Sequence, residues 1–286
     1  MLSQHDLRQN HLLATLYAAQ FDRLSPHLEL IRMAKGDVLY QCGGKLSHVY
    51  FPTTALVSIQ VELENGGRSE IAHVGNEGVL GISLFMGGST TPSRAVVQSA
   101  GHGYRLRSGR LMEEFYRKGP LLRLLLRYTQ ALMTQMSQTA VCNSHHSTQQ
   151  RLCRWILQTL DHVGGSELLV TQEGLGAILG VRREGITDAA GRLQQLGMIS
   201  YRRGHIRVLD RTGLEAQVCE CYEVIKQETA RLLSDADQSI AAVTRPWTQR
   251  SGAPNRRLGF AERRADPARD AASSAPSDCQ TSFQFL

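Results

Sequence analysis

The stretch "PLLRLLLRYTQALMTQMSQTAV", residues 120–141, constrains the fold of this chain more than any other. It opens with Pro120, which a first helical turn tolerates, and continues through strong helix formers without a glycine. Leu121, Leu125, Tyr128 and Leu132 recur at helical spacing as one apolar stripe, and Leu122, Leu126, Met133, Met136 and Ala140 make a second. A helix with two apolar stripes needs two neighbours. Either both lie within one chain, or one stripe packs on the helix's own domain and the other on the same helix of a second subunit. The sequence leaves both arrangements open.

On the N-terminal side of this helix, from about Leu28 to Leu106, the character is different. Short β-prone runs ("DVLYQ", "HVYFP", "ALVSIQVEL", "SEIAHV", "AVVQSA", "GYRLR") are separated by Gly, Pro, Asn and Ser clusters, which predicts an all-β barrel or roll. In "ALVSIQVEL", Leu56, Ser58, Gln60 and Glu62 alternate with Val57, Ile59, Val61 and Leu63. That period predicts a strand with one face on a core and the other increasingly wet. On the C-terminal side, "STQQRLCRWILQTLDHVG" predicts a helix with Leu152, Trp155, Ile156 and Leu160 on one side, closed by Gly164 and Gly165.

The next segment, "TQEGLGAILGVRREGITDAAGRLQQLGMISYRRGHIRV", carries the functional signal. Thr171 is a suitable N-cap for the helix "QEGLGAIL", with Glu173 near its positive end. Leu175, Ile178 and Leu179 form its buried face, and Gly176 allows close approach. Gly180 stops the helix by supplying the left-handed conformation of a tight turn, which Val181 anchors. The following helix, "RREGITDAAGRLQQL", keeps Ile186, Ala190 and Leu193 inside, while Arg182, Arg183, Glu184, Thr187, Asp188 and Arg192 face outward. Two short strands around Gly204 then present Arg202, Arg203, His205 and Arg207. This order predicts a winged helix-turn-helix, a shape that enters the major groove of double-stranded DNA. Arg182, Arg183, Glu184, Thr187 and Asp188 are the expected base-reading residues, because guanidinium groups match the acceptors of guanine and carboxylates accept from cytosine. Thr171, Gln172, Arg192, Arg202, Arg203 and His205 are the expected contacts to the DNA backbone. Six arginines against two acids between Arg182 and Arg207 add a positive field to the shape.

Composition narrows the remaining classes. The net charge is +6, but seven arginines against four acids from Thr244 to Leu286 account for half of it, in a stretch of weak periodicity expected to be a disordered tail. No apolar run reaches the roughly 20 residues a membrane span needs, so no membrane partner is expected. The start "MLSQHDLRQNHLLATLY" lacks the order of a secretion signal, and the six cysteines are scattered, which together predict a reducing cytoplasm. Cys219 and Cys221 form a lone C-x-C where zinc and iron–sulfur sites need four ligands. The adjacent His145 and His146 point in different directions on a helix and cannot chelate together. Neither a metal nor a cofactor is therefore expected. With no P-loop, G-x-S-x-G or H-E-x-x-H motif, no enzyme activity is expected either.

Over roughly residues 20 to 212 the chain resembles the cyclic-AMP-receptor/FNR (Crp/Fnr) family of bacterial transcription regulators. The resemblance implies an α+β fold: a cyclic-nucleotide-binding-like β-roll with an N-terminal helix (1–118), a dimerisation helix (119–145) and a winged helix-turn-helix (146–212). A C-terminal helix (213–240) and the tail (241–286) follow. "TQEGLGAILGVRRE" is the strongest local likeness, and it sets Arg183 and Glu184 on the family's principal base-reading Arg and Glu. Asp188 stands where the best-known member has a second base-reading arginine, so the operator sequence does not carry over. In the sensor half, "GISLFMGGSTTPSRAVV" resembles the family's phosphate cassette in its LF and RAVV. However, Ile82 or Ser83 stands near the family's glutamate, and Ser93-Arg94 reverses the family's Arg-Ser. Ser83, Ser93 and Arg94 are therefore the candidates for an effector pocket, and cyclic AMP is not the expected ligand. The N-terminal cysteine cluster of the FNR branch is absent, which argues against an oxygen-sensing cluster. The resemblance further implies a homodimer on a palindromic operator, a small-molecule effector and contact with RNA polymerase. The alternative is a small-molecule sensor whose β-roll carries the function without specific DNA binding.

Overall fold

Seven short strands, set off by turn residues, fold into two antiparallel sheets around a shared core. The structure, a computed structural model, describes residues 6–233. Two short helices, α1 (His11–Ala14) and α2 (Ala18–Leu24), precede β1 (Glu29–Met33), β2 (Val38–Tyr40), β3 (His48–Pro52), β4 (Leu56–Glu62), β5 (Arg68–Val74), β6 (Arg94–Ser99) and β7 (Gly101–Arg107). One sheet has the order β1-β7-β3 and the other β2-β6-β4-β5. Met33, Phe51 and Leu106 of the first meet Val57, Val74 and Val97 of the second in one core. Strand β1, "ELIRM", has no turn signal or clean alternation to mark it in the sequence.

Helix α3 (Ser108–Tyr116) leads to α4 (Pro120–His145), which is continuous over the glycine-free run. Leu121, Leu125, Tyr128 and Leu132 close the core of the roll, as their spacing predicts. The second stripe divides. Leu126 and Met133 remain 52% and 57% exposed, while Met136 is half-buried against the roll. Along α4, Thr134, Ser137 and Ser144 each donate their hydroxyl to the carbonyl four residues earlier. These polar side chains are thus satisfied within the helix, which makes the exposed face easier to bury.

The C-terminal part is built from α5 (Thr148–Val163), β8 (Glu167–Leu169), α6 (Gln172–Leu179), α7 (Arg183–Gln195), β9 (Ile199–Arg202), β10 (His205–Val208), α8 (Arg211–Gln217) and α9 (Cys221–Leu233). Ser147 begins α5 with a capping box, donating and accepting through Gln150. Leu152, Trp155, Ile156, Leu175, Ile186, Leu193 and Ile206 form a second core. The one-sided reading of α5 falls short, since residues 151 to 160 are all buried. Its other side lies against β4, whose polar face grows wetter along the strand as expected: Leu56 and Ser58 are buried, Gln60 is half-buried and Glu62 is exposed, and Ser58 donates to the buried Glu70 carboxylate. A second correction concerns the single helix expected from residue 213. Val218 takes an extended conformation and divides it into α8 and α9, and α9 packs along α4. The end of that expected helix and the basic tail lie outside the described residues.

An ion pair joins the two cores. His162 of α5 stands 3.0 Å from the Glu77 carboxylate beyond β5, and the His162 ring meets that of His73 edge-on. Burial disfavours both charges here, but each is outweighed by the opposite charge facing it, so Glu77 is held down at about 2 and His162 is raised. Glu77 therefore contributes stability above its ordinary value of 4.5 and loses it as pH falls. His162 contributes fully below its ordinary 6.5 and loses that contribution as pH rises through its raised value. Glu77→Gln is expected to cost roughly 1–3 kcal/mol near pH 5.5, with the difference from the parent narrowing by about pH 9. Denaturant unfolding at the two pH values measures it; a pH-independent difference would contradict the assigned charges.

Candidate nucleic-acid interface and effector cavity

The helix pair is set by local chemistry. Thr171 caps α6 by accepting from the Gly174 N–H at 3.0 Å, and Gly180 ends it at φ 62°, ψ 37°. The Val181 N–H then donates to the Gly176 carbonyl at 2.9 Å. A Cβ on Gly176 would sit 2.9 Å from the Val181 oxygen, so the glycine permits the tight turn itself. Ile186, Ala189, Ala190 and Leu193 hold α7 to the second core. Arg182, Arg183, Glu184, Thr187, Asp188 and Arg192 are all exposed. Arg182 occupies the N-cap and provides no side-chain hydrogen bond, so no side chain caps the positive end of the α7 dipole. The Thr187 hydroxyl lies 3.1 Å from both the Arg183 carbonyl and the Gln172 side-chain oxygen, which ties α7 to the start of α6.

The wing follows from a two-residue turn. Arg203 and Gly204 have φ of 49° and 82°, the left-handed pair that a tight β9–β10 hairpin requires. Strand β8 adds to the other side of β10, and the Tyr201 hydroxyl donates to the Val170 carbonyl at 2.8 Å, fixing the wing to the segment before α6. Arg202, Arg203 and His205 are exposed, whereas Arg207 pairs with Glu167 at 2.7 Å. An arginine in the left-handed region costs about 1–2 kcal/mol relative to glycine, and strain of this kind persists where the side chain is needed. Arg203→Gly is therefore expected to stabilise the fold by about 1 kcal/mol while weakening binding to all DNA and lowering the salt dependence by about one charge. Thermal unfolding and salt-titrated binding of the same variant measure the two effects, and unchanged DNA binding would remove Arg203 from the interface.

In the β-roll, Ser83 and Ser93 line a cavity of about 400 Å³ together with Tyr40, Ile59, Val61, Ile71, Leu80 and Thr91. Leu132 and Met136 of α4 close it from below. Arg94, the third expected pocket residue, is instead held by Glu62 at 3.2 Å and does not line the cavity. None of the lining residues carries a charge, and burial pushes the Tyr40 hydroxyl up to about 12, keeping it neutral. A buried phosphate would lack compensation there.

One constellation escaped the sequence. The lone C-x-C of Cys219 and Cys221 acquires Cys142 and His146 as neighbours, four ligand-bearing residues in one place. His145 is exposed and takes no part. The signal available beforehand was a C-x-x-x-H at the end of α4, which places both residues on one helical face, but nothing local connected it to a motif more than seventy residues away.

Residues 150–217, from α5 through α8, match the Crp-like helix-turn-helix domain. The described architecture as a whole shares the fold of solved Crp/Fnr-type regulators. FixK2 from Bradyrhizobium japonicum is 15% identical with a TM-score of 0.59, over 67% of this chain and 98% of its own. A CRP-family transcriptional regulator from Thermus thermophilus is 18% identical with a TM-score of 0.56, over 65% and 95%. The c-di-GMP responsive global regulator CLP of Xanthomonas campestris is 17% identical with a TM-score of 0.54, over 67% and 99%. No curated protein matches the chain by sequence. Among the described residues, no helix is long and apolar enough to cross a membrane.

Proposed function

We infer that this protein is a sequence-specific DNA-binding transcription regulator of the Crp/Fnr type, working as a homodimer on double-stranded DNA. The observation that carries the reading is the outer face of α7: an exposed, uncapped, arginine-bearing helix start, presented by a glycine turn and flanked by a strained basic wing. In this reading Arg182, Arg183, Glu184 and Asp188 face base edges, with Thr187 also setting the helix against Gln172. Thr171, Gln172, Arg192, Arg202, Arg203 and His205 hold phosphates. The exposed seam of Leu126 and Met133 pairs with its copy across a two-fold axis, so the two recognition helices enter successive major grooves. The 1–118 segment serves as the sensor, and an uncharged small molecule in its cavity presses on Leu132 and Met136, and so on the dimer helix. Contact with RNA polymerase and a cytoplasmic location follow by analogy with the family.

Recovery of genomic fragments bound by the purified protein, followed by footprinting, tests the reading. An inverted repeat with half-sites about 10 base pairs apart, centre to centre, is expected. Retention that is salt-sensitive yet enriches no sequence would reduce the protein to a non-specific binder, and no retention at all would favour a sensor without DNA.

A further inference from the structure

The break between α8 and α9 brings two thiols against the end of the long helix. Cys219 and Cys221 are 3% and 1% exposed, Cys142 is fully buried in α4, and His146 caps that helix. The three sulfur atoms and one ring nitrogen lie within 4.8 Å of one another. Cys142 Sγ is 3.6 Å from Cys219 Sγ, and Cys221 Sγ is 3.6 Å from His146 Nδ1. A tetrahedral ion with metal–sulfur bonds of about 2.3 Å and a metal–nitrogen bond of about 2.0–2.1 Å holds its ligand atoms about 3.6–3.8 Å apart. The cluster is already near that geometry. An iron–sulfur cluster, by contrast, interposes several atoms between its thiolates and spaces them farther apart.

We propose that Cys142, His146, Cys219 and Cys221 form a Cys₃His site for one zinc-class divalent ion. A donor set of three sulfurs and one imidazole selects such an ion over magnesium or calcium. The remaining ring nitrogen of His146 stands 3.3 Å from the Glu220 carboxylate, an outer partner that fixes the ring with Nδ1 toward the sulfurs. On binding, the three thiols lose their protons to water, four metal–ligand bonds form, and no electron is transferred. The complex carries one net negative charge. The buried guanidinium of Arg154, which donates to Thr139 Oγ1 at 3.2 Å and acts electrostatically on Cys142 and Cys221, offsets it. The site spans 77 positions from Cys142 to Cys219 and fastens the chain leaving the winged domain to the end of α4. It is independent of whether α7 reads DNA.

The test uses the full chain, purified under reducing conditions and stripped with chelator. Titration with Co²⁺ alone is expected to give thiolate-to-cobalt charge transfer and the visible bands of a tetrahedral ion, saturating at about one equivalent per chain and displaced by Zn²⁺. Cys219→Ser and His146→Ala should each weaken Co²⁺ binding by about tenfold or more; Cys42→Ser, at an exposed cysteine outside the cluster, should not. Should a ligand variant misfold by circular dichroism, the titration of the parent chain decides alone. Absence of tetrahedral bands in the folded, reduced parent would overturn the site. So would finding Cys142 and Cys219 joined as a disulfide in protein isolated without added oxidant.

Discussion

Met133→Asp is expected to turn the protein from a dimer into a folded monomer and to lower its affinity for operator DNA by about two to four orders of magnitude. Met133 is more than half exposed in the single chain, so the protomer loses little by the change. Across a two-fold seam, however, every substitution is made twice, and two carboxylates would face each other in a desolvated contact. Several kcal/mol of association energy are at stake, and each 1.4 kcal/mol is about tenfold. A monomer engages one half-site and forfeits the gain of linked binding. Sedimentation and circular dichroism separate this outcome from misfolding. A variant that remains dimeric would place the dimer contact elsewhere than the Leu126–Met133 face.

Arg183→Ala is the second large effect. Its exposed guanidinium lies in the first turn of α7, where a bidentate contact to guanine is worth about 1–3 kcal/mol. A symmetric dimer loses it twice, about 2–6 kcal/mol in all, so specific binding should fall by about thirtyfold to twenty-thousandfold, while binding to unrelated DNA falls far less. Preference at one base pair in each half-site should relax. Arg203→Gly should behave in the opposite manner, weakening all sequences alike. If the two variants lower binding to every DNA by the same factor, the division between a reading helix and a clamping wing is wrong.

Much of this architecture was legible because it is written in local periodicity. The alternation in "ALVSIQVEL" marks β4, the glycine-free run marks α4, and Thr171, Gly180 and Gly204 mark the cap and turns that aim α7 and the wing. What was not legible depends on contacts between distant segments. The buried Ser58 is bonded to the Glu70 carboxylate on the neighbouring strand, and Arg94, a candidate for the effector pocket, is instead held by Glu62, 32 positions away. Arg151 and Arg154 look like the polar face of an amphipathic helix, yet they are buried, donating to the Leu179 carbonyl and to Thr139. The break at Val218 has no glycine or proline to announce it; burial of the two cysteines that follow, Cys219 and Cys221, against Cys142 of α4 accompanies it.

Dimethyl sulfate protection on a recovered operator examines the central claim most directly, because the reagent methylates guanine N7 in the major groove and adenine N3 in the minor. Protected guanine N7 atoms are expected in two symmetric clusters about one helical turn apart, with one guanine in each cluster regaining reactivity when Arg183 is replaced by Ala. Guanines that stay fully reactive under saturating protein, or protection confined to adenine N3, would show that α7 does not enter the major groove.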